Sequence, residues 1–160
     1  MDALHRLKAL NITLLGGEPL LHPRLPDLVG YANHEAQVSV TTNGFLLSDD
    51  LVERLNEAGL SNMQVSIDGL KPDRSGYIQK SMKPLLPKLE RLRRLARFDV
   101  HVNLVLCDSS KADFKATLAE LRRLDSFVTV NPIHNDTGKI AITGMARAVF
   151  QLMQRGGVSR

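Results

Sequence analysis

Strand-like and helix-like segments alternate along this chain almost from end to end, and that order constrains its fold more than any other feature. A helix is predicted over residues 2–10, with Leu4, Leu7 and Leu10 on one side. Strands are predicted at 12–16, 37–42, 63–67, 100–106 and 127–131, the last broken by Pro132. A helix at 24–33 turns Leu25, Leu28 and Val29 inward. The next has Ser48 as N-cap, Asp49 and Asp50 at the positive end of its dipole, and Gly59 as its stop. A helix at 82–97 tolerates Pro84 in its first turn, and Pro87 would let it begin a turn later. Ser110 and Asp113 read as a capping box for a helix ending near Arg123. Strands joined by helical crossovers run parallel, so the fold class is α/β. An open doubly wound sheet and a (β/α) barrel both satisfy this pattern, and periodicity does not choose between them.

The length of 160 residues suits one core. Residues 1–140 read as that core and 141–160 as a C-terminal helix and loose tail. No apolar run approaches the roughly 20 residues of a membrane helix, and the N-terminus lacks the apolar stretch of a signal peptide. A cytoplasmic protein without a membrane partner is expected. Much of the net charge of +4 comes from Lys83, Lys88, Arg91, Arg93, Arg94 and Arg97. They read as the wet face of a helix that turns Leu85, Leu89, Leu92 and Ala96 inward. No aromatic residues interleave with them, so nucleic acid is not an expected partner. The single cysteine, Cys107, excludes an intrachain disulfide and a Cys-x-x-Cys metal site.

Parallel strands joined by helices bring their C-terminal ends to one edge, where polar groups converge into a site. Three predicted strand ends carry such groups: Gly16-Gly17-Glu18, Thr42-Asn43-Gly44 and Asp68-Gly69. Glu18, Asn43 and Asp68 stand about 25 residues apart in turn. The two glycines let the backbone approach a ligand, and their carbonyls with Glu18 suit an ammonium group. Ser66 and Asp68, two apart on one strand face, suit the two hydroxyls of a ribose. Asn43, Asn103 and Asn131 add donors and acceptors. Asn-Gly and Asp-Gly are common turn pairs, so the order and spacing of the whole set carry the weight. A ligand with an amine, a carboxylate and a ribose matches this inventory. No Gly-x-Gly-x-x-Gly or phosphate loop is present; Thr137-Gly138-Lys139 lacks the earlier glycine.

The run Ile12-Thr13-Leu14-Leu15-Gly16-Gly17-Glu18-Pro19-Leu20-Leu21-His22-Pro23, with Thr41-Thr42-Asn43-Gly44 and Val65-Ser66-Ile67-Asp68-Gly69, resembles the radical S-adenosylmethionine superfamily over about residues 4–135. The resemblance implies a partial (β/α)6 TIM-like barrel. It implies that Gly16, Gly17 and Glu18 hold the amino group of S-adenosylmethionine and that Ser66 and Asp68 hold the ribose. Thr42 and Asn43 would lie near the methionine portion, Asn103 at the fifth-strand motif, and Asn131 beside the adenine.

The family's Cys-x-x-x-Cys-x-x-Cys loop, which holds a [4Fe-4S] cluster, has no counterpart among these residues, and Cys107 cannot replace it. His22 and His134 read as loop histidines, and no residue is assigned to a metal. The expectation is therefore a barrel truncated at the first strand, belonging to a fragment of a radical enzyme. Completed by the cluster loop, it would form a 5′-deoxyadenosyl radical and abstract hydrogen from a small-molecule or peptide substrate. The fragment alone would be inactive, with a missing N-terminal segment or a partner completing the barrel. The alternative is a binding module for an adenosyl ligand, or a non-functional truncated product.

Overall fold

The computed structural model describes residues 8–68, 82–106, 111–124 and 127–132. The expected helix at 2–10, the capping box at Ser110, Cys107, His134 and everything after Pro132 lie outside the described residues, apart from a turn at 8–10. The order is β1 (Asn11–Leu14), a 3-10 turn (Pro19–Leu21), α1 (Leu25–Asn33), β2 (Gln37–Thr42), α2 (Asp49–Glu57) and β3 (Asn62–Ile67). It continues with α3 (Leu86–Leu95), β4 (Asp99–Leu106), α4 (Lys111–Arg123) and β5 (Phe127–Pro132). The strands form one sheet in the order β1-β2-β3-β4-β5. The alternation read from the sequence is thus the observed architecture.

The described residues fall into two compact units, one up to Ser66 with Pro84–Val102, the other from Ile67 with residues from Asn103 onward. In the first unit β1 pairs with β2 and β2 with β3, both parallel. Leu14 lies opposite Val40, and Thr42 opposite Val65. β2 therefore runs two residues beyond the end of β1, which lets Thr42 and Asn43 meet the loop that follows β1. β1 begins one residue before the expected strand at 12–16 and ends two residues before its expected end. Leu15 leaves the sheet into solvent, and Gly16 turns at a positive φ.

The core of this unit lies between the sheet and three helices. Val38 and Val40 of β2, with Met63 and Val65 of β3, are fully buried. Against them pack Leu25, Val29 and Ala32 of α1, Val52 and Leu55 of α2, and Leu89 and Leu92 of α3. α1 contacts α2, and α2 contacts α3. At roughly 1.5–3 kcal/mol for each buried aliphatic side chain, this layer is the main stabilising term.

Local chemistry sets the helix ends. The Ser48 hydroxyl accepts from the Leu51 N–H at 3.2 Å, satisfying one orphan donor at the start of α2. Gly59 follows α2 at φ +75, and a Cβ there would lie 2.3 Å from Asn33 Nδ2. At that left-handed φ a side chain is strained, and it would also have to displace the Asn33 amide. α3 starts at Leu86 with Pro87 in its first turn. Asn56 of α2 finishes α3: its Nδ2 donates to Leu95 O at 2.8 Å, and its Oδ1 accepts from Arg97 N at 2.8 Å.

In the second unit Leu104 of β4 and Leu121 of α4 are buried, and Leu124 just beyond α4 is buried with them. Among the described residues no helix is long and apolar enough to cross a membrane.

Candidate functional site

Beyond β1 the chain passes through Gly16 at φ +100 and Gly17 at φ +50. A Cβ built on either glycine would meet nothing within 4 Å. The glycines are thus required by backbone conformation, and the space beside them is open. Glu18 returns to extended backbone and caps the 3-10 turn, its Oε1 accepting from Leu20 N at 3.0 Å. Pro19, with no N–H to satisfy, takes the first position of that turn.

The Glu18 carboxylate also reaches the end of β2. Thr42 Oγ1 donates to Oε1 at 2.5 Å, and Asn43 N donates to Oε2 at 2.8 Å. Glu18 therefore accepts three protein hydrogen bonds. A carboxylate offers about four lone-pair sites, so one remains, on Oε2. Thr42 is buried, and its hydroxyl also accepts from Gly44 N at 3.0 Å. Asn43 Oδ1 accepts from Phe45 N at 2.9 Å, leaving its Nδ2 without an acceptor among the described residues. A cavity of about 470 Å3 adjoins this segment, walled by Leu14, Leu15, Leu21 and Leu25, with Glu18 and His22 as its polar members.

Ser66 is buried at the end of β3, and Asp68 is half-buried just past it. In the second unit, Asn103 Oδ1 of β4 accepts from Asn131 Nδ2 at 2.6 Å and from Thr129 Oγ1 at 3.3 Å, both on β5. Gly16, Gly17, Glu18, Thr42 and Asn43 thus form one connected group, and Asn103 and Asn131 form another. Sequence reasoning missed Thr129, which alternation along β5 places beside Asn131. It also missed Lys88, whose ammonium donates to Phe45 O and Leu47 O instead of lying idle on a wet helix face.

The fold and site define an α/β protein with an open glycine-glycine-glutamate cradle where its first strand ends. Residues 1–131 match the model of the Radical SAM superfamily, and the chain belongs to that superfamily. The family's cofactors are S-adenosylmethionine and a [4Fe-4S] cluster.

The chain is 46% identical over 63 residues to a GTP 3',8-cyclase of Microcystis aeruginosa, covering 38% of this chain and 19% of that protein. It is 28% identical over 124 residues to a probable GTP 3',8-cyclase of Methanococcus maripaludis, covering 75% and 41%. It thus spans less than half the length of these relatives. Among solved structures, Streptococcus suis SuiB bound to S-adenosylmethionine superposes with a TM-score of 0.71 at 15% identity, over 98% of this chain and 40% of that one. A domain of a pyruvate-formate lyase-activating enzyme from Bacteroides vulgatus gives 0.62 at 17% identity, over 91% and 94%. These two likenesses establish the fold, the partial TIM-like barrel of radical enzymes.

Proposed function

We propose that this chain forms the S-adenosylmethionine-binding part of a radical enzyme. The observation that supports this reading best is the Gly16-Gly17-Glu18 cradle: open space beside two glycines at positive φ, ending on a carboxylate with one lone pair to spare. An ammonium group there meets the glycine carbonyls and Glu18 as acceptors. Asn43 Nδ2 is a donor suited to the ligand's carboxylate. Ser66 and Asp68 are assigned to the ribose hydroxyls. In the second unit Asn131 is assigned to the adenine and Asn103 to the fifth-strand motif, with Asn131 Nδ2 donating to Asn103 Oδ1.

When bound, the family's cluster supplies the electron that cleaves the sulfonium. One cysteine cannot ligate it, and the described residues hold no group of three or more His, Cys, Asp or Glu placed to bind a metal. The residues present therefore fit S-adenosylmethionine and do not fit the cluster, and no step of the radical chemistry is assigned to them. The relatives above share an activity name, which makes GTP the first substrate to test in a complete, cluster-loaded protein.

Calorimetry of the 160-residue chain with S-adenosylmethionine tests the binding reading. Saturable binding is expected, weakened at least about tenfold in Asp68→Asn and Glu18→Ala chains that retain native circular dichroism. A folded wild-type chain that gives no binding would refute it.

A further inference from the structure

The geometry points to Lys88 of α3 as a positioning residue for the amino-acid end of the ligand, an inference that rests on the binding reading above. The turn that follows β2 carries Asn43, and its shape is fixed from two sides. On one side Glu18 holds the Asn43 N–H at 2.8 Å. On the other, the Lys88 ammonium donates to the carbonyl of Phe45 and, at 3.2 Å, to that of Leu47. Between these anchors the turn closes on itself, through Leu47 N to Gly44 O at 3.2 Å and Phe45 N to Asn43 Oδ1 at 2.9 Å. Gly44 sits at φ +76 against Val65 and Leu85: a Cβ there would lie 3.0 Å from Val65 Cγ1 and 3.5 Å from Leu85 Cδ2.

A cation bound to two carbonyls is a charge-assisted contact, stronger than a neutral one. It ties the turn to α3, whose Leu89 and Leu92 are fixed in the core. Arg91 reinforces the join only at the surface, 3.8 Å from Asp49 with both side chains well exposed. Because the backbone N–H and Oδ1 of Asn43 are both committed within the protein, Nδ2 is the atom left for a ligand. A turn released by Lys88 moves that atom directly. The adenosyl end of the ligand, assigned to other strands, does not depend on it.

Calorimetry of the full chain therefore compares two ligands, S-adenosylmethionine and 5′-methylthioadenosine, the second of which keeps the adenosyl group and lacks the amino-acid portion. Lys88→Met is expected to weaken S-adenosylmethionine about tenfold, on the scale of one charge-assisted bond. It should leave 5′-methylthioadenosine within about twofold, and Lys88→Arg, which keeps the charge and donors, should recover most of the loss. Lys88→Gln serves in the same comparison if Lys88→Met does not fold. Unchanged binding of S-adenosylmethionine by the variants, or equal loss for both ligands, overturns the role of Lys88 alone. Failure of the folded wild-type chain to bind S-adenosylmethionine overturns the inference together with the reading beneath it.

Discussion

Replacing Thr42 by valine removes one oxygen from the centre of the site while keeping the side chain's shape. Thr42 is 2% exposed, so no water takes the place of its hydroxyl. Two hydrogen bonds disappear: the one donated to Glu18 at 2.5 Å and the one accepted from the Gly44 N–H at 3.0 Å. Gly44 is buried too, and an unsatisfied buried N–H costs about 1–3 kcal/mol. The bond to the carboxylate is charge-assisted, but Glu18 is half-exposed and keeps two other donors, so its loss adds about 1 kcal/mol. The expected destabilisation is about 2–4 kcal/mol, a large part of a typical domain's 5–15 kcal/mol. Thr42→Ser keeps the hydroxyl and loses one methyl group, for about 1 kcal/mol. In urea, with a slope of about 2 kcal/mol per molar, the midpoint should fall by about 1–2 M for valine and by less than about 1 M for serine. A valine variant as stable as the serine variant would show that the Glu18–Thr42–Gly44 relay contributes nothing.

Other substitutions test separate parts of the structure. Gly59→Ala places a Cβ 2.3 Å from Asn33 Nδ2 at φ +75 and should cost more than about 1 kcal/mol in urea unfolding, whereas Gly30→Ala, with 3.9 Å of room, should cost nothing or stabilise slightly. Asn56→Ala removes both bonds that finish α3 and should cost about 1–3 kcal/mol, with faster amide exchange at Arg97 as its local signature. Gly17→Ala meets no atom within 4 Å, so its folding cost should stay near about 1 kcal/mol for φ +50. The added methyl group enters the open cradle, so calorimetry should show a larger loss of S-adenosylmethionine affinity than of stability.

The alternation of strands and helices, the Ser48 cap and the Gly59 stop were legible in the sequence because each depends on neighbours a few residues away. The end of β1 was not. Leu15 continues the apolar run but stands 68% exposed, because the Gly16 turn, and not hydropathy, ends the strand. The site was legible as positions and not as contacts. Glu18 reads in sequence as an acceptor for a ligand, yet three of its four lone pairs go to Leu20, Thr42 and Asn43. Two of those partners reach it through the register of β1 on β2, which no local pattern encodes. Lys88 shares the helical periodicity of its basic neighbours, and only the packing of α3 beside the β2 turn separates it from them.

The donors around Glu18 explain why a carboxylate stands there. All three contacts are N–H or O–H groups pointing inward, so the residue must accept and cannot donate. A glutamine would turn an NH2 towards at least one of them. An aspartate, one methylene shorter, would have to cap the 3-10 turn and reach β2 with less span. The same three donors take up three of the carboxylate's lone pairs and leave one on Oε2. On the binding reading proposed above, joining β1 to β2 and receiving a cationic group fall to one carboxylate. On that reading, a substitution that neutralises Glu18 removes the charge proposed to meet the ligand's ammonium group, and one that moves the charge breaks the join between the strands.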